Sequence, residues 1–327
     1  MLAIVCRETS GIEGLRLEEL PAPALTPGCI RVQMKLASVN FPDYLMASGR
    51  YQVRPATPFV LGIEGSGTVV ESAPEVVDFV PGDRVMVYAG QGCFASETVV
   101  SARYAHKVPD GMDDEIAVGF LLAYGTSYHG LVGRGRLRDG ETLVVLGAAG
   151  GLGSSATQIG KALGATVIAV AGSDSKLDFC RSNGADYVID SRSGSIRDRL
   201  RELTDGRGPE IVYDVVGGDL TEVMLRSIAA YGRLLIVGYA SGSIPEIKGN
   251  LVLLKQADVI GVSFRQYFQQ HPESAGQDLE RLCDIWRAGK LRVTPATVMP
   301  LGGAVDALKM VAQRRAVGKV AFRMSSS

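Results

Sequence analysis

Three closely spaced glycines are the residues whose type and spacing point most clearly to chemistry. They are Gly147, Gly150 and Gly153. They follow the apolar run 143–146, which predicts a buried strand, and they precede a helix-like stretch. Glycines at such a turn let backbone N–H groups approach a pyrophosphate, and the helix N-terminus adds partial positive charge. A glycine-rich turn without a ligand is the alternative, but the strand–turn–helix context favours a bound dinucleotide.

The end of the next apolar strand indicates which dinucleotide to expect. Proteins that bind NAD usually carry an acidic residue there, which holds the ribose 2′-hydroxyl. Here Ala171 or Gly172 occupies that place. Ser173 and Lys176 then offer a hydroxyl and a positive charge to a 2′-phosphate, although Asp174 between them would repel it. The alternative is that Ser173 caps the following helix and that Lys176 is a solvated side chain. We favour NADPH over NADH.

The histidines and cysteines do not form a recognisable metal site. The chain has 3 His and 5 Cys in 327 residues, and no pair of them has the spacing of zinc ligands. The odd number and irregular spacing of the cysteines also argue against a disulfide framework, so we expect a cytoplasmic protein. No Gly-x-Ser-x-Gly segment follows a strand, which argues against a hydrolase triad.

The charge balance and the distribution of apolar residues exclude several further classes. With 34 basic and 35 acidic residues, the chain has no general field that would attract nucleic acid or anionic lipid. No apolar run reaches the length of a membrane span, and the N-terminal residues do not have the pattern of a signal peptide. The expected partner is therefore a small molecule, with no nucleic acid and no membrane.

Two kinds of patterning divide the chain. The first ~120 residues contain short alternating strands, such as 30–36, separated by Pro and Gly turns, which predicts a barrel or a sandwich. From about Glu115 to Val262, six apolar strands alternate with helices, which predicts a doubly wound, six-stranded parallel sheet of the α/β class. The remaining ~60 residues are too few for a third domain, so we expect a return to the first, with a frayed tail at 325–327.

Four stretches carry a resemblance to a known family. They are residues 39–43 with 49–51, 58–67, 148–153 and 318–320. With the order of the segments, they resemble the zinc-independent quinone oxidoreductases, the zeta-crystallin-like group of the medium-chain dehydrogenase/reductase superfamily. The resemblance implies a GroES-like β-barrel catalytic domain over residues 1–118 plus 265–327, and a Rossmann dinucleotide-binding domain over 119–264.

The chain departs from the zinc-dependent members of that superfamily at several positions together. Those enzymes carry a ligand histidine directly before a glutamate, where this chain has Ile63 before Glu64. They carry a ligand cysteine in the segment that corresponds to residues 38–43, and four closely spaced cysteines for a structural zinc. This chain lacks them all, so the resemblance implies a metal-free site.

The resemblance also implies roles for individual residues. Asn40 and Tyr51 are similar to polar residues on the substrate side of the nicotinamide, and Thr126 is similar to a threonine near its ribose. The other implied cofactor residues are Gly150, Gly151 and Leu152 at the pyrophosphate, Ser173 and Lys176 at the 2′-phosphate with Arg315 or Lys319 joining them, and Val216, Tyr239 and Phe264 beside the nicotinamide. Several relatives carry a Tyr where this chain has Ser191, a departure that Arg192 would offset.

A site with no metal and no strong acid suits an acceptor that needs little activation. A quinone accepts a hydride readily because its product is aromatic, so orientation suffices. A conjugated enal or enone is the second possibility, and its developing enolate would need a donor, for which we expect Tyr51. The alternative is that Tyr51 only packs at a loop.

We expect Asn40 to orient the substrate or the cofactor, and the alternative is that it stabilises a turn. We expect Asp43 to fix the same loop.

Two other functions stay open. An enoyl-thioester reductase shares the Asn and Gly-x-Tyr pattern but needs a basic groove for the phosphate of coenzyme A or a carrier protein. A non-catalytic NADPH-binding scaffold is the second. The apolar stretch 250–254 lies in the edge segment of the predicted sheet, and a monomer would expose it, so we expect a homodimer.

Overall fold

The computed structural model describes residues 1–324 and divides the chain into two compact units. The first unit contains Met1–Leu122 and the chain from Thr294 onward, and the second contains Ala123–Val293. The tail at 325–327, which we expected to be frayed, lies outside the described residues.

Strands that are mostly antiparallel build the first unit. Its N-terminal elements are β1 (Leu2–Cys6), β2 (Leu15–Glu19), β3 (Cys29–Val39), α1 (Phe41–Ala47), β4 (Phe59–Val60), β5 (Glu64–Ser72), β6 (Arg84–Tyr88), β7 (Glu97–Ser101), β8 (Ala105–Lys107) and α2 (Asp114–Gly119). The predicted strand at 30–36 is confirmed as part of β3, whose side chains alternate between buried and less buried positions before the strand becomes fully buried. β3 pairs with both β5 and β7, and β1 pairs with β2 and β4.

Glycines in β5 let this strand lie close against β3. A Cβ on Gly65 or Gly67 would overlap atoms of β3, including the backbone carbonyl oxygen of Gln33 beside Gly67. The pairing places Glu64, the first residue of β5, opposite Ser38. This register brings Glu64 to the end of β3 that leads into α1.

The second unit contains the predicted six-stranded parallel sheet, with the strand order β11-β10-β9-β12-β13-β14. Its elements are α3 (Gly125–Tyr128), β9 (Thr142–Leu146), α4 (Gly151–Ala162), β10 (Thr166–Ala171), α5 (Asp174–Ser182), β11 (Tyr187–Asp190), α6 (Ile196–Leu203), β12 (Ile211–Asp214), α7 (Asp219–Ser227), β13 (Arg233–Ile236), α8 (Gly249–Lys255), β14 (Asp258–Gly261), α9 (Phe264–Gln270) and α10 (Pro272–Arg287). The central strands are apolar and buried, as expected of a sheet covered on both faces.

The chain returns to the first unit later than the sequence indicated. The expected borders were 118 and 265, whereas the second unit extends from Ala123 to Val293 and includes α9 and α10. Phe264 stacks on Phe268 within α9, and α10 buries Leu279 and Leu282. The sequence after Val262 could not show which unit its helices cover. The returning segment contains β15 (Thr297–Pro300), α11 (Ala304–Ala312) and β16 (Val320–Arg323), and β16 pairs antiparallel with β3.

A continuous helical stretch runs from Asp114 to Arg134 and includes π-helical turns at Phe120–Tyr124 and His129–Arg134. By length and composition alone, this stretch could cross a membrane, contrary to our expectation from the sequence. Its most apolar window is 78% buried, however, as is usual for a core helix. The π-helical turns are of interest because such turns often accompany functional sites.

Candidate active site

The glycine loop of the second unit forms a cradle at the start of α4. Gly147 adopts a left-handed φ of 64°, and its carbonyl oxygen accepts a hydrogen bond of 3.0 Å from the N–H of Gly150. A Cβ on Gly153 would overlap that same carbonyl oxygen, so only glycine fits there. At Gly150, by contrast, the space beyond the Cα is open, with the nearest atom 3.5 Å away.

The first turn of α4 provides the hydrogen-bond donors that an anion requires. Gly150 is the N-cap, and Gly151 and Leu152 are the first helical residues. The first N–H groups of a helix have no partner within the helix, and they point along its axis with the positive end of the dipole. The cradle therefore fits a pyrophosphate, in the place that the sequence predicts.

The end of β10 holds a second polar cluster in the same unit. Ser173 is the N-cap of α5, and Lys176 lies in the first turn of that helix. The guanidinium of Arg192 lies 2.8 Å from the carboxylate of Asp174 and 2.6 Å from that of Asp190. Arg192 therefore compensates the negative charge of Asp174, which would otherwise repel a phosphate at this position.

A buried carboxylate organises the turn after β12, and the sequence reasoning missed it. Asp214 accepts hydrogen bonds of 2.8 Å from the N–H groups of Val216 and Gly217, and one of 2.6 Å from the hydroxyl of Thr221. The signal was an acidic residue that ends an apolar strand directly before a turn. A Cβ on Gly217 would lie 2.8 Å from the ring of Tyr239, so the turns that carry Val216 and Tyr239 are neighbours.

The helix that carries Thr126 packs against α9. A Cβ on Gly125 would lie 2.6 Å from the ring of Phe264, so glycine allows this close approach. The next hydroxyl, that of Ser127, lies 2.8 Å from the hydroxyl of Ser155 in α4. Thr126 and Phe264 are both buried, and these contacts hold them near the glycine cradle within the second unit.

In the first unit, Asn40 is the N-cap of α1 and is held by Asp43. One carboxylate oxygen of Asp43 accepts the N–H of Asn40 at 2.8 Å, and the other accepts the N–H of Ile63 at 3.1 Å. Burial and, to a smaller extent, the negative charge of Glu64 together raise the pKa of Asp43 to about 7, against the lowering effect of these bonds. Asp43 thus fixes its loop, as we expected.

The side chain of Asn40 belongs to a network that the sequence did not reveal. Its Nδ2 donates to Glu64 Oε1 at 3.1 Å and to the carbonyl oxygen of Ser38 at 3.2 Å. Its Oδ1 accepts from Lys319 Nζ at 2.9 Å, and the same Nζ lies 2.8 Å from Glu64 Oε1. We had expected Lys319 to join the 2′-phosphate residues, but the structure holds its ammonium group beside Asn40 in the first unit.

Tyr51 lies in the bend that follows α1. Its N–H donates to the carbonyl oxygen of Leu45 at 3.2 Å, and its side chain is half-buried.

Among residues 1–324, the structure shows no group of three or more His, Cys, Asp or Glu side chains that could hold a metal ion. The ring of His129 stacks on Tyr267 at 3.9 Å, which is a packing role.

Comparison with known proteins gives the class first. The model of the alcohol dehydrogenase GroES-like domain matches residues 26–124, and the model of the zinc-binding dehydrogenase family matches residues 151–281. Together with the observed fold and glycine cradle, these matches define a medium-chain dehydrogenase/reductase.

Comparison of whole chains gives the family. The sequence is 34% identical to the quinone oxidoreductase-like protein 2 homolog of Nematostella vectensis, over 89% of this chain and 80% of that protein. It is 32% identical to quinone oxidoreductase-like protein 2 of Bos taurus, over 97% of this chain and 91% of that protein. The chain belongs to the quinone oxidoreductase-like family, a family of oxidoreductases.

Two solved structures and a polyketide synthase subunit extend the comparison. A mycobacterial protein complexed with NADPH is 30% identical with a TM-score of 0.93, and the match covers 99% of this chain and 100% of that one. The Escherichia coli quinone oxidoreductase complexed with NADPH is 27% identical with a TM-score of 0.91, over 99% and 100%. A phenolphthiocerol/phthiocerol polyketide synthase of Mycobacterium tuberculosis is 32% identical over 89% of this chain, which covers 13% of that protein.

Proposed function

We propose that this protein reduces quinones or related conjugated carbonyl compounds with NADPH, by direct hydride transfer and without a metal. The observation that carries the proposal is a glycine cradle followed by a strand end without an acidic residue, where Ser173 and Arg192 lie. The NADPH complexes of two structural relatives support the same cofactor here.

The residues of the second unit would bind and orient the cofactor. Gly151 and Leu152 would offer N–H groups to the pyrophosphate beside the open space at Gly150, and Ser173 and Lys176 would bind the 2′-phosphate. Bound NADPH supplies a hydride at C4 of its nicotinamide. Thr126, Val216, Tyr239 and Phe264 would hold that ring and exclude water from it.

The residues of the first unit would act on the acceptor. Asn40 and Tyr51 are the polar residues that we assign to the substrate side. Reduction of a quinone needs little more than alignment, because the product is aromatic. The protein would need no Lewis acid for such an acceptor, which agrees with Ile63 in place of the ligand histidine of zinc-dependent relatives.

An enoyl-thioester reductase is the second candidate. It is favoured by the 32% identity to part of a polyketide synthase. The two reactions share the cofactor and the hydride step, and they differ in the acceptor.

We also propose that the protein acts as a cytoplasmic homodimer. Leu253 and Leu254 on α8 are each 76% exposed, and Ile244 before them is 74% exposed. Apolar surface of this kind beside the edge strand β14 is best explained by a second copy that covers it. The five cysteines are all free, which agrees with a reducing compartment.

The test of the proposed function is NADPH oxidation by purified, chelator-treated protein. The acceptors are 1,4-benzoquinone, 9,10-phenanthrenequinone and crotonyl-CoA, with NADH as the control donor. Rapid quinone reduction that requires NADPH and ignores the chelator is the expected result. Activity on crotonyl-CoA alone would support the second candidate, and NADPH binding without turnover would support a scaffold.

A further inference from the structure

A buried ion pair lies next to Asn40 in the first unit. The side chain of Glu64 is 1% exposed and that of Lys319 is 12% exposed, and the two charged groups are 2.8 Å apart. A carboxylate this deeply buried needs a charged or hydrogen-bonded partner, because burial without one is costly. Lys319 therefore compensates the buried charge of Glu64.

Counting hydrogen-bond donors shows that Asn40 has none left for a substrate. Its amide group carries two N–H bonds, and they donate to Ser38 O and Glu64 Oε1. Its backbone N–H donates to Asp43. Asn40 is therefore a positioning residue in this network, and it cannot donate to a substrate oxygen without breaking one of these bonds.

The ammonium group of Lys319 differs, because it carries three N–H bonds. Two of them point to Asn40 Oδ1 and Glu64 Oε1. Within the described residues, the third has no acceptor. Glu64 Oε2 accepts the N–H of Leu122 in the π-helical turn at 3.2 Å, and a carboxylate has no donor of its own. The remaining donor of the cluster is thus on Lys319.

The structure also holds the lysine in place. Its aliphatic chain crosses Gly119, where a Cβ would lie 2.8 Å from Cε and 3.0 Å from Cγ of Lys319. The following residue, Val320, pairs with Val39 in the sheet, and Val39 directly precedes Asn40. Strand pairing therefore fixes the backbones of Lys319 and Asn40 relative to each other, so the ammonium group is preorganised.

We infer that Lys319 is a catalytic residue of the proposed reaction, and this inference rests on the proposed function. As the substrate takes up the hydride at carbon, the electron pair of its conjugated carbonyl group moves to oxygen, which becomes an oxyanion. The third N–H of Lys319 donates to this oxygen, and a proton from water later completes the hydroxyl or carbonyl product. A fixed donor of this kind acts most strongly on charge that develops during the reaction.

Turnover of two acceptors tests the inference. Lys319→Met alone would leave Glu64 buried and unpaired, so we pair it with Glu64→Gln, and Lys35→Met on an exposed ion pair is the matched control. We expect the double variant to lower kcat for a conjugated enone, benzylideneacetone, on the order of 100-fold. The loss for 1,4-benzoquinone, whose product oxyanion is more stable, should be clearly smaller, with unchanged NADPH affinity. Equal losses on both acceptors, or none, would overturn the inference.

Binding of 4-nitrophenol provides a second measurement that needs no turnover. With NADP⁺ present, wild type should shift the bound phenol toward its yellow phenolate, and the double variant should not. If wild type turns over neither acceptor but still favours the phenolate through Lys319, the proposed function fails while the anion site stands. If wild type binds only the neutral phenol, the inference fails, even if the double variant does not fold.

Discussion

Asp43 shows at the scale of one residue how burial competes with hydrogen bonding. Its carboxyl group is fully buried, and its pKa rises to about 7 although two N–H groups donate to it. Between about pH 4 and 7, the folded protein then keeps a proton that the unfolded chain has released. The stabilisation is complete below that window and is lost as the pH rises through it.

This reasoning predicts a pH-dependent difference between wild type and Asp43→Asn, which does not titrate. The free energy of unfolding of wild type, relative to the variant, should fall by up to about 4 kcal/mol between pH ~4 and ~7.5. Urea denaturation across that range measures it. A difference that stays constant with pH would show that Asp43 is ionised throughout.

Arg192 is the residue that we expect to help select the cofactor. Arg192→Ala removes the cation that compensates Asp174, so the KM for NADPH should rise roughly 10-fold, because the uncompensated carboxylate would repel the 2′-phosphate. The KM for NADH, which has no 2′-phosphate, should stay the same. Arg199→Ala, on an exposed pair of α6, is the matched control. An equal rise for both cofactors would contradict this role.

Single residues were predictable from the sequence where a motif marks them. The cradle glycines and Asn40 follow from spacing and resemblance, and the structure places them at a helix start and a helix cap. Glu64 and Asp214 were missed as site residues because their importance depends on burial and on bonds to distant backbone groups. The side chain of Lys319 was assigned to the wrong neighbours, because its contacts with Asn40 and Glu64 span more than 250 residues.

At the scale of elements, the β9–α4 turn depends on glycine for steric reasons. Gly153→Ala should lower the melting temperature and abolish NADPH binding, because the new Cβ would overlap the carbonyl oxygen of Gly147. Gly276→Ala in α10 is the control, since a Cβ there has open space, and it should stabilise the fold by roughly 0.5–1 kcal/mol. Calorimetry and cofactor titration measure both effects. Normal NADPH binding by Gly153→Ala would contradict the proposal that the glycine cradle binds the cofactor.

Elements with strong periodicity were predictable, and those defined by partners were not. The six parallel strands and the helices that alternate with them are confirmed. The sequence did not predict the N-terminal strands β1 and β2, because each is short and is defined by its hydrogen-bonded pairing with the other. The π-helical turns are a further case, since the rare i+5 pattern has no clear signal in the sequence.

At the scale of the molecule, the apolar surface around α8 predicts self-association. Replacing Leu253 and Leu254 together by Glu should convert the proposed dimer to a monomer, because the new charges would be buried in the contact. Val77→Glu, at a residue of the first unit that is 79% exposed, should leave the dimer intact. Light scattering after size exclusion gives the mass of each. A monomeric wild type at micromolar concentration would contradict the proposal.

The central claim is that hydride passes directly from NADPH to a conjugated carbonyl acceptor without help from a metal. The most direct measurement is single-turnover reduction of 9,10-phenanthrenequinone by chelator-treated protein, with NADPH deuterated at either of the two C4 positions. We predict slower reduction with one of the two labelled cofactors only, at a rate that the chelator does not change. Equal rates with both labelled cofactors and with unlabelled NADPH, or loss of the reaction on chelation, would contradict the account.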